Sequence, residues 1–270
     1  WRGSAWRQGD HSSRSTSPGR LVGKEVLRLT TRSCATPVRH NSVTCVRNNG
    51  VAHSRQMKKK IPPRWQPGIA LYCAYLVAAR EFAGISRKGG DIPYLSHLMA
   101  VSALVMEHGG TEDQAAAALL HDVLEDSKDV SVKSLTWELM AAEVPVESAH
   151  NIVAIVQGTS DGVDGQERTE ATWHERKTTY HQRLAAKPSD DPSILVSLAD
   201  KVHNAESTLV QVRAGQTLDE IFANFNFGRA GQEMNYRGLL AAFKKHSTQN
   251  PSLARLVTRL ERAIEEIFTP

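Results

Sequence analysis

Four ionisable side chains interrupt an apolar, alanine-rich segment near the middle of this sequence. The segment covers residues 117–126 and reads Ala-Ala-Leu-Leu-His-Asp-Val-Leu-Glu-Asp. Burying charge is costly unless the charge is paired or binds a metal ion. We expect one helix to continue through the segment, so that His121 lies over Glu125 and Asp122 over Asp126, because residues four apart share a helix face. The cluster therefore predicts a divalent-cation site with carboxylates in reserve for proton transfer.

A second polar cluster interrupts the apolar segment at residues 197–207. Asp200, Asn204 and Ser207 follow one another at intervals of four and three residues, so they share one helix face. This face offers one metal ligand followed by two hydrogen-bonding groups. His203 falls off the face, and we expect a core histidine that hydrogen-bonds to the backbone.

A histidine at the start of another expected helix completes a candidate ligand set. His97, His121, Asp122 and Asp200 together supply two imidazoles and two carboxylates. Such mixed nitrogen and oxygen ligands suit Mn²⁺, Fe²⁺, Mg²⁺ or Zn²⁺. They leave positions open for water and a phosphate oxygen, as metal-assisted hydrolysis requires. Taken singly, each residue has a plainer explanation as a helix cap, a core histidine or a solvated helix end.

The spacing of apolar residues predicts helices almost throughout from Pro67, and hence an all-α fold without a reliable strand. A further helix is expected to begin after Thr111, a favourable N-cap residue. The other expected helices cover residues 69–82, 94–108, 132–143, 146–157, 172–186, 194–213, 218–225, 232–246 and 252–268.

The basic character of the chain is concentrated in its first stretch. The chain has 33 basic and 29 acidic residues, of which ten and two lie in residues 1–56, leaving 23 and 27 from Met57 onward. The mildly acidic remainder gives no indication of a nucleic-acid partner. The Arg- and Ser-rich residues 1–56 are typical of a transit peptide, but Met57 would make an ordinary start. We therefore favour a disordered or non-native extension over residues 1–60 and one domain over residues 65–270.

The apolar runs and the cysteines indicate in which cellular compartment the protein is expected. The longest apolar run, residues 69–79, is too short to cross a bilayer, so no membrane partner is expected. Cys34, Cys45 and Cys73 are odd in number and lack Cys-x-x-Cys spacing, which argues for a reducing, cytoplasmic environment. The oligomeric state stays open.

The polar motifs resemble those of the HD-domain metal-dependent phosphohydrolases, whose H…HD…D pattern they match. Over about residues 69–210 they are more closely similar to the hydrolase domain of RelA/SpoT-type alarmone enzymes and their small stand-alone relatives. The matching stretches are Arg87-Lys88-x-Gly before Pro93-Tyr94-x-x-His97, then Leu120-His121-Asp122-x-x-Glu125-Asp126, and then Leu198-Ala199-Asp200-Lys201-x-His203-Asn204.

This resemblance implies a helical HD-domain bundle with a metal site between helices. It implies that Glu125 and Asp126 position or activate the attacking water. The implied reaction is hydrolysis of the 3′-diphosphate of guanosine tetra- or pentaphosphate to GDP or GTP and pyrophosphate. The implied Mn²⁺ ligands are His97, His121, Asp122 and Asp200.

The resemblance also assigns residues to the nucleotide substrate. Arg87 and Lys88 match family residues beside the bound nucleotide, and Asn204 and Ser207 match residues that contact its ribose or phosphates. Lys177 lies in a Trp-x-Glu-Arg-Lys-x-x-Tyr segment that recurs in the small relatives and is expected to face the site.

Two positions depart from the family pattern. Ser207 stands where threonine is usual and keeps the hydroxyl, whereas Glu206 replaces an arginine and reverses a charge near the substrate. Because of Glu206, an HD phosphohydrolase that acts on another nucleotide or a phosphorylated cofactor is an alternative hypothesis. A non-catalytic nucleotide-binding HD module is a further alternative, which the intact ligand set disfavours. The chain leaves no room for a synthetase domain, so we expect hydrolysis without synthesis.

Overall fold

A computed structural model describes residues 65–88, 90–160, 169–223 and 225–269. In this part of the chain the structure is helical, and its only β-pairing is the isolated bridge between Ser86 and Pro93. The all-α prediction is therefore confirmed. The extension predicted for residues 1–60 lies outside the described residues. None of the described helices is both long enough and apolar enough to span a membrane.

The helices follow the predicted order closely. Most observed ends lie within two residues of the predicted ones. The helices are α1 Ile69–Glu81, α2 Tyr94–Glu107, α3 Glu112–Leu120, α4 Val123–Asp126, α5 Val132–Ala141, α6 Val146–Thr159, α7 Trp173–Ala186, α8 Ser193–Arg213, α9 Leu218–Phe222, α10 Gly228–Ser247 and α11 Ala254–Phe268, with a 3₁₀ helix at Pro251–Leu253.

Helix α3 lies at the centre of the bundle, against α1, α2, α6 and α8. Its four consecutive alanines, residues 115–118, are fully buried, and their small side chains let the neighbouring helices approach closely. The predicted cap at Thr111 is confirmed. Thr111 Oγ1 accepts from the Gln114 backbone N–H at 3.2 Å, while Gln114 Oε1 accepts from the Thr111 N–H at 2.9 Å.

The turn between α2 and α3 requires glycine. Gly109 has φ +82°, and a Cβ on Gly110 would lie 2.4 Å from Val105 Cγ1. From the first turn of α3, Glu112 Oε1 accepts from the backbone N–H of Gly68 at 2.7 Å, at the start of α1. The acidic first turn of α3 therefore also caps a second helix.

Helices α8 and α11 pack along each other in the second half of the chain. One face of α11 is apolar and buried, and Leu256, Leu260 and Ile264 on it have no exposed surface. Helix α10 packs against α7 and α11. As a result α8, which carries the second polar cluster, is held between the central helices and the C-terminal ones.

Helix α10 begins at Gly228, four residues before the predicted start at Gln232. Glycine has low helix propensity, which concealed the first turn in the sequence. Tertiary contacts override that propensity here. The ring of Phe227, the residue before the helix, lies 4.2 Å from the His174 ring and 5.2 Å from the Trp173 ring, centroid to centroid.

Candidate metal centre

The expected continuous helix through residues 117–126 is not what the structure shows, and that prediction is wrong. Helix α3 ends at Leu120, His121 and Asp122 form a turn, and the short α4 follows. The His121 imidazole supplies a physical reason, because its Nδ1 lies 2.8 Å from the Ala118 carbonyl oxygen. A continuing helix would offer that carbonyl to the Asp122 backbone N–H. The helix is therefore interrupted at His121 and Asp122, two of the candidate metal ligands.

Four side chains converge at this break from three parts of the fold. His97 comes from α2, His121 and Asp122 from the turn, and Asp200 from α8. His97 Nε2 lies 3.3 Å from Asp200 Oδ1 and 3.8 Å from Asp122 Oδ2. His121 Nε2 lies 3.0 Å from Asp122 Oδ2 and 3.7 Å from Asp200 Oδ1. One ligand atom each from His97, His121 and Asp200 falls within 4.8 Å of the others, and all three residues are buried.

The donor set fits a divalent cation. His121 Nε2 is buried and has no hydrogen-bond partner among the described residues, although two carboxylates face it. Its Nδ1 proton has an acceptor in the Ala118 carbonyl, so the Nε2 lone pair is the one turned toward the cluster. Burial opposes a charge on His121, but Asp122 and Asp200 raise the pKa of its imidazole well above the ordinary value. This part of the site therefore favours a positive charge.

The two oxygens of Asp200 have different environments. Oδ2 accepts from Lys201 Nζ at 2.5 Å, whereas Oδ1 faces the histidines and accepts from Asn204 Nδ2 at 2.5 Å. Burial works against ionisation, but Lys201, His121 and His97 hold the pKa of the Asp200 carboxyl well below its usual range. Asp200 is therefore an anionic candidate ligand, with Oδ1 facing the two histidines.

Asp122 is also positioned by a neighbouring side chain. The Tyr94 hydroxyl donates to Asp122 Oδ2 at 2.5 Å, and the Tyr94 ring stacks on Phe82 with a centroid distance of 4.8 Å. Burial and the Asp122 carboxylate raise the pKa of Tyr94, so its hydroxyl stays protonated and donates. Tyr94 thus fixes the oxygen of Asp122 that lies nearest the histidines.

In the part of the chain that the structure describes, the His203 side chain hydrogen-bonds to the His97 side chain and to no backbone group, so the expectation of a core histidine directed elsewhere is wrong. Its Nδ1 lies 2.8 Å from His97 Nδ1, and the side chain is half-buried. Burial, with His97 and Arg87 nearby, lowers the pKa of His203 to about 4, so the ring is neutral. The expectation failed because it counted only residues four and seven positions after Asp200 as sharing its helix face. His203, three positions after Asp200, also lies on that side of the helix.

Glu125 and Asp126 lie on α4, directly after the turn. Ser160 Oγ donates to Glu125 Oε1 at 2.5 Å, and Glu125 is half-buried. Asp126 is exposed and close enough to Lys88 to act on its pKa. The backbone N–H groups of Glu125 and Asp126 both donate to the Asp122 carbonyl, at 3.1 and 2.9 Å. The two carboxylates are thus tied to the turn that supplies two candidate ligands.

Basic side chains border the cluster on the side of the loop between α1 and α2. The Arg87 guanidinium donates to Asn204 Oδ1 at 2.9 Å, and Lys88 Nζ lies 4.7 Å from the centroid of the Phe225 ring. Burial and the nearby charge of Lys177 lower the pKa of Lys88, whereas Asp126 raises it. The charge of Lys177 thus acts on Lys88, and the predicted place of Lys177 at the site stays a prediction.

Ser207 is less closely tied to the cluster than the other predicted residues. It lies on α8 beyond Asn204 and is half-buried. Its backbone carbonyl accepts from Gln211 Nε2 at 3.5 Å. Its expected contact with a nucleotide stays a prediction.

Several residues at the site were not predicted to act there. Tyr94, Lys201 and His203 stand inside the motifs, and their position in the sequence beside the candidate ligands was the signal that could have identified them. Ser160 and Phe225 lie in connections between helices, where no periodic pattern points to a partner. Their contacts with Glu125 and Lys88 depend on tertiary packing alone.

Comparison with known proteins identifies the family. The family model described as HD domain matches residues 74–233, which is more than half of the chain. The chain belongs to the HD-domain family. Together with the cluster of two histidines and an aspartate, membership indicates that this HD domain holds a divalent-metal site.

Curated relatives of the HD domain include two named for alarmone metabolism. The chain is 32% identical over 178 residues to a protein of Synechocystis sp. named "probable guanosine-3′,5′-bis(diphosphate) 3′-pyrophosphohydrolase". It is 30% identical over 133 residues to the bifunctional (p)ppGpp synthase/hydrolase SpoT of Escherichia coli. The matches cover 63% and 48% of this chain but only 22% and 17% of those proteins. The similarity is thus to one part of each relative.

A solved structure shares the fold over most of the chain. It is described as a metazoan ortholog of SpoT that hydrolyses ppGpp and has a role in starvation responses. The superposition has a TM-score of 0.55 and covers 76% of this chain and 99% of the other, at 19% sequence identity. This likeness establishes a common helical fold for the HD domain.

Proposed function

We propose that this HD domain is a metal-dependent pyrophosphohydrolase that acts on guanosine tetra- or pentaphosphate. The products are pyrophosphate and GDP or GTP. The observation that carries the proposal is the convergence of two imidazoles and two carboxylates beside Arg87 and Asn204. The names of the relatives support the choice of substrate. We assign this unit to residues 65–270.

We propose Mn²⁺ as the ion, with His97, His121, Asp122 and Asp200 as its ligands. Such a cation polarises a phosphate oxygen and the attacking water. A ligating imidazole nitrogen must be unprotonated, and burial lowers the pKa of His97 in that direction, whereas at His121, whose pKa is raised, a bound cation would replace a proton. Asp200 and Asp122 bring negative charge, and their outer partners Lys201 and Tyr94 keep the ligand oxygens in place.

Glu125 and Asp126 are proposed to orient the water and accept its proton. Both follow the turn that carries His121 and Asp122, and the Ser160 hydroxyl donates to one Glu125 oxygen, which restricts the orientation of this carboxylate. A positioned carboxylate base typically contributes about 10²- to 10⁴-fold to a rate. Proton transfer is thus separated from metal binding.

The substrate phosphates are proposed to meet the basic side of the site. Arg87, Lys88 and Lys177 offset negative charge as pyrophosphate leaves. Asn204 and Ser207, on the α8 face that begins at Asp200, are proposed to bind the ribose or the phosphates. Arg87 donates to Asn204, which in turn donates to Asp200, so nucleotide and metal subsites adjoin each other.

The test is incubation of the protein with ppGpp and Mn²⁺, with pyrophosphate release followed over time. We expect pyrophosphate and GDP in equal amounts, and no release by Asp122→Ala, which loses one ligand. Phosphate released from another nucleotide, with ppGpp left intact, would support a different HD phosphohydrolase. Nucleotide binding without any turnover would support a non-catalytic module. Activity that survives Asp122→Ala would contradict the metal site.

A further inference from the structure

His97, one of the candidate metal ligands, is in contact with a second histidine, His203. His97 is 1% exposed, and the hydrogen-bond partner of its Nδ1 among the described residues is His203 Nδ1, at 2.8 Å. The two ring centroids are 4.8 Å apart, with the ring planes at 46°. His97 Nε2, on the opposite side of the ring, faces Asp200 Oδ1 and Asp122 Oδ2. One ring of His97 thus spans the candidate metal site and His203.

Only one distribution of protons on the two rings permits His97 to bind a metal. Coordination requires a lone pair on Nε2, so the single proton of the neutral His97 ring must be on Nδ1. A hydrogen bond between the two Nδ1 atoms then requires that His203 Nδ1 accepts, and the proton of His203 is on Nε2. The reverse arrangement, with His203 Nδ1–H donating, leaves the His97 proton on Nε2 and blocks coordination.

The geometry points to His203 as a positioning residue that selects the metal-binding tautomer of His97. The inference rests on the proposed metal site and adds a role outside the four ligands. His121 has the equivalent arrangement, in which the Ala118 carbonyl accepts from Nδ1 and Nε2 faces the carboxylates. A second hydrogen bond of this kind commonly fixes the orientation of a histidine ligand and raises its basicity. The acceptor for the Nδ1 proton is therefore a backbone carbonyl at His121 and a side-chain imidazole at His97.

Two variants of nearly the same shape separate this role from simple packing. In His203→Asn the side-chain oxygen lies near the position of the imidazole Nδ1 and still accepts from His97. In His203→Leu the volume is similar, but no acceptor is present. Both are compared with the full chain by Mn²⁺ titration, with free Mn²⁺ followed by electron paramagnetic resonance, and by thermal unfolding in the absence of metal.

We expect His203→Leu to bind Mn²⁺ roughly 10- to 100-fold more weakly than the unmodified protein, and His203→Asn to stay within about threefold. Wild-type affinity in a folded His203→Leu protein would overturn the role of His203 alone. An equal loss in both folded variants would do the same, because the acceptor would then not matter. Unmodified protein without Mn²⁺ affinity would overturn the metal site itself, and the role of His203 with it.

A spectroscopic measurement keeps the inference testable if His203→Leu does not fold. In the unmodified protein loaded with Zn²⁺, a diamagnetic substitute, long-range ¹H–¹⁵N correlation spectra report the tautomer of each histidine. His203, identified by its absence in His203→Asn, should be neutral with its proton on Nε2. A proton on His203 Nδ1 would overturn the proposal.

Discussion

Glu206 of α8 and Arg259 of α11 form a bidentate ion pair. Arg259 Nε lies 2.9 Å from Glu206 Oε1, and its terminal nitrogen lies 2.8 Å from Oε2. The departure from the family arginine at position 206 is therefore matched by a cation on a neighbouring helix. The Glu206 carboxylate, whose negative charge had left the identity of the substrate undecided, is therefore neutralised by Arg259 and points toward α11.

Glu206→Gln should accordingly leave substrate recognition nearly unchanged. The KM for ppGpp should stay within about twofold, while the free energy of unfolding falls by about 0.2–1 kcal/mol, as for partly exposed ion pairs. Steady-state kinetics and urea unfolding measure the two effects. Arg259→Gln is the matched control and should give a similar loss of stability. A tenfold change in KM for Glu206→Gln alone would show that the carboxylate acts on the substrate.

Tyr94→Phe should weaken metal binding without loosening the core. The change removes the hydroxyl that donates to Asp122 Oδ2 but keeps the ring that stacks on Phe82. Loss of such an outer partner typically lowers metal affinity about 10- to 100-fold. Calorimetric titration with Mn²⁺ measures the affinity. Tyr75→Phe, which removes a hydroxyl from an exposed residue of α1, should have no effect, and an equal loss in both would argue against a role for the Tyr94 hydroxyl.

Periodicity was sufficient to predict most of the bundle. The starts of α1 and α2 at Ile69 and Tyr94 agree with the expected residues, because Gly and Pro precede them and apolar spacing follows. It was insufficient where tertiary contacts outweigh propensity. Helix α10 begins early because the Phe227 ring packs on aromatic neighbours, and these contacts are invisible in a local pattern.

The candidate ligands could be chosen from the sequence, but their immediate surroundings could not. His97, His121 and Asp200 can be recognised in the sequence because they are ionisable residues within apolar segments. The structure brings the three side chains together. The break of α3 at His121 depends on a side-chain contact with its own preceding turn, which competes with the helix. The partner of His203 lies on another helix, so no interval along α8 identifies it.

Glu125→Gln should separate chemistry from metal binding. The amide keeps the size of the side chain and can still accept from Ser160, but it cannot take a proton from water. We expect unchanged Mn²⁺ affinity and a fall in kcat of about 10²- to 10⁴-fold. Single-turnover assays alongside Mn²⁺ titration measure both. Asn204→Ala provides the contrast, with a raised KM expected. Loss of metal by Glu125→Gln would instead make Glu125 a ligand.

Asp191 should make the stability of α8 dependent on acid pH. Its carboxylate accepts from the Ser193 N–H at 2.9 Å and the Ser193 hydroxyl at 2.6 Å, and Lys187 Nζ lies 3.3 Å away. Burial works against ionisation, but these hydrogen bonds and the Lys187 charge lower the pKa of Asp191 below its ordinary value. Because the folded-state pKa is depressed, the stabilisation is present above the unfolded pKa of about 4 and is lost as pH falls through the folded value.

Asp191→Asn removes the charge and keeps an acceptor for the Ser193 N–H. The variant should be less stable than the unmodified protein at pH 7 by about 0.2–1 kcal/mol, as for a partly exposed ion pair, because it loses the charge that faces Lys187. The difference should shrink on acidification, because protonated aspartate and asparagine are then alike. Urea unfolding at neutral and acid pH measures it. A difference that grows as pH falls would show that the Asp191 charge opposes folding at the start of the helix that carries Asp200.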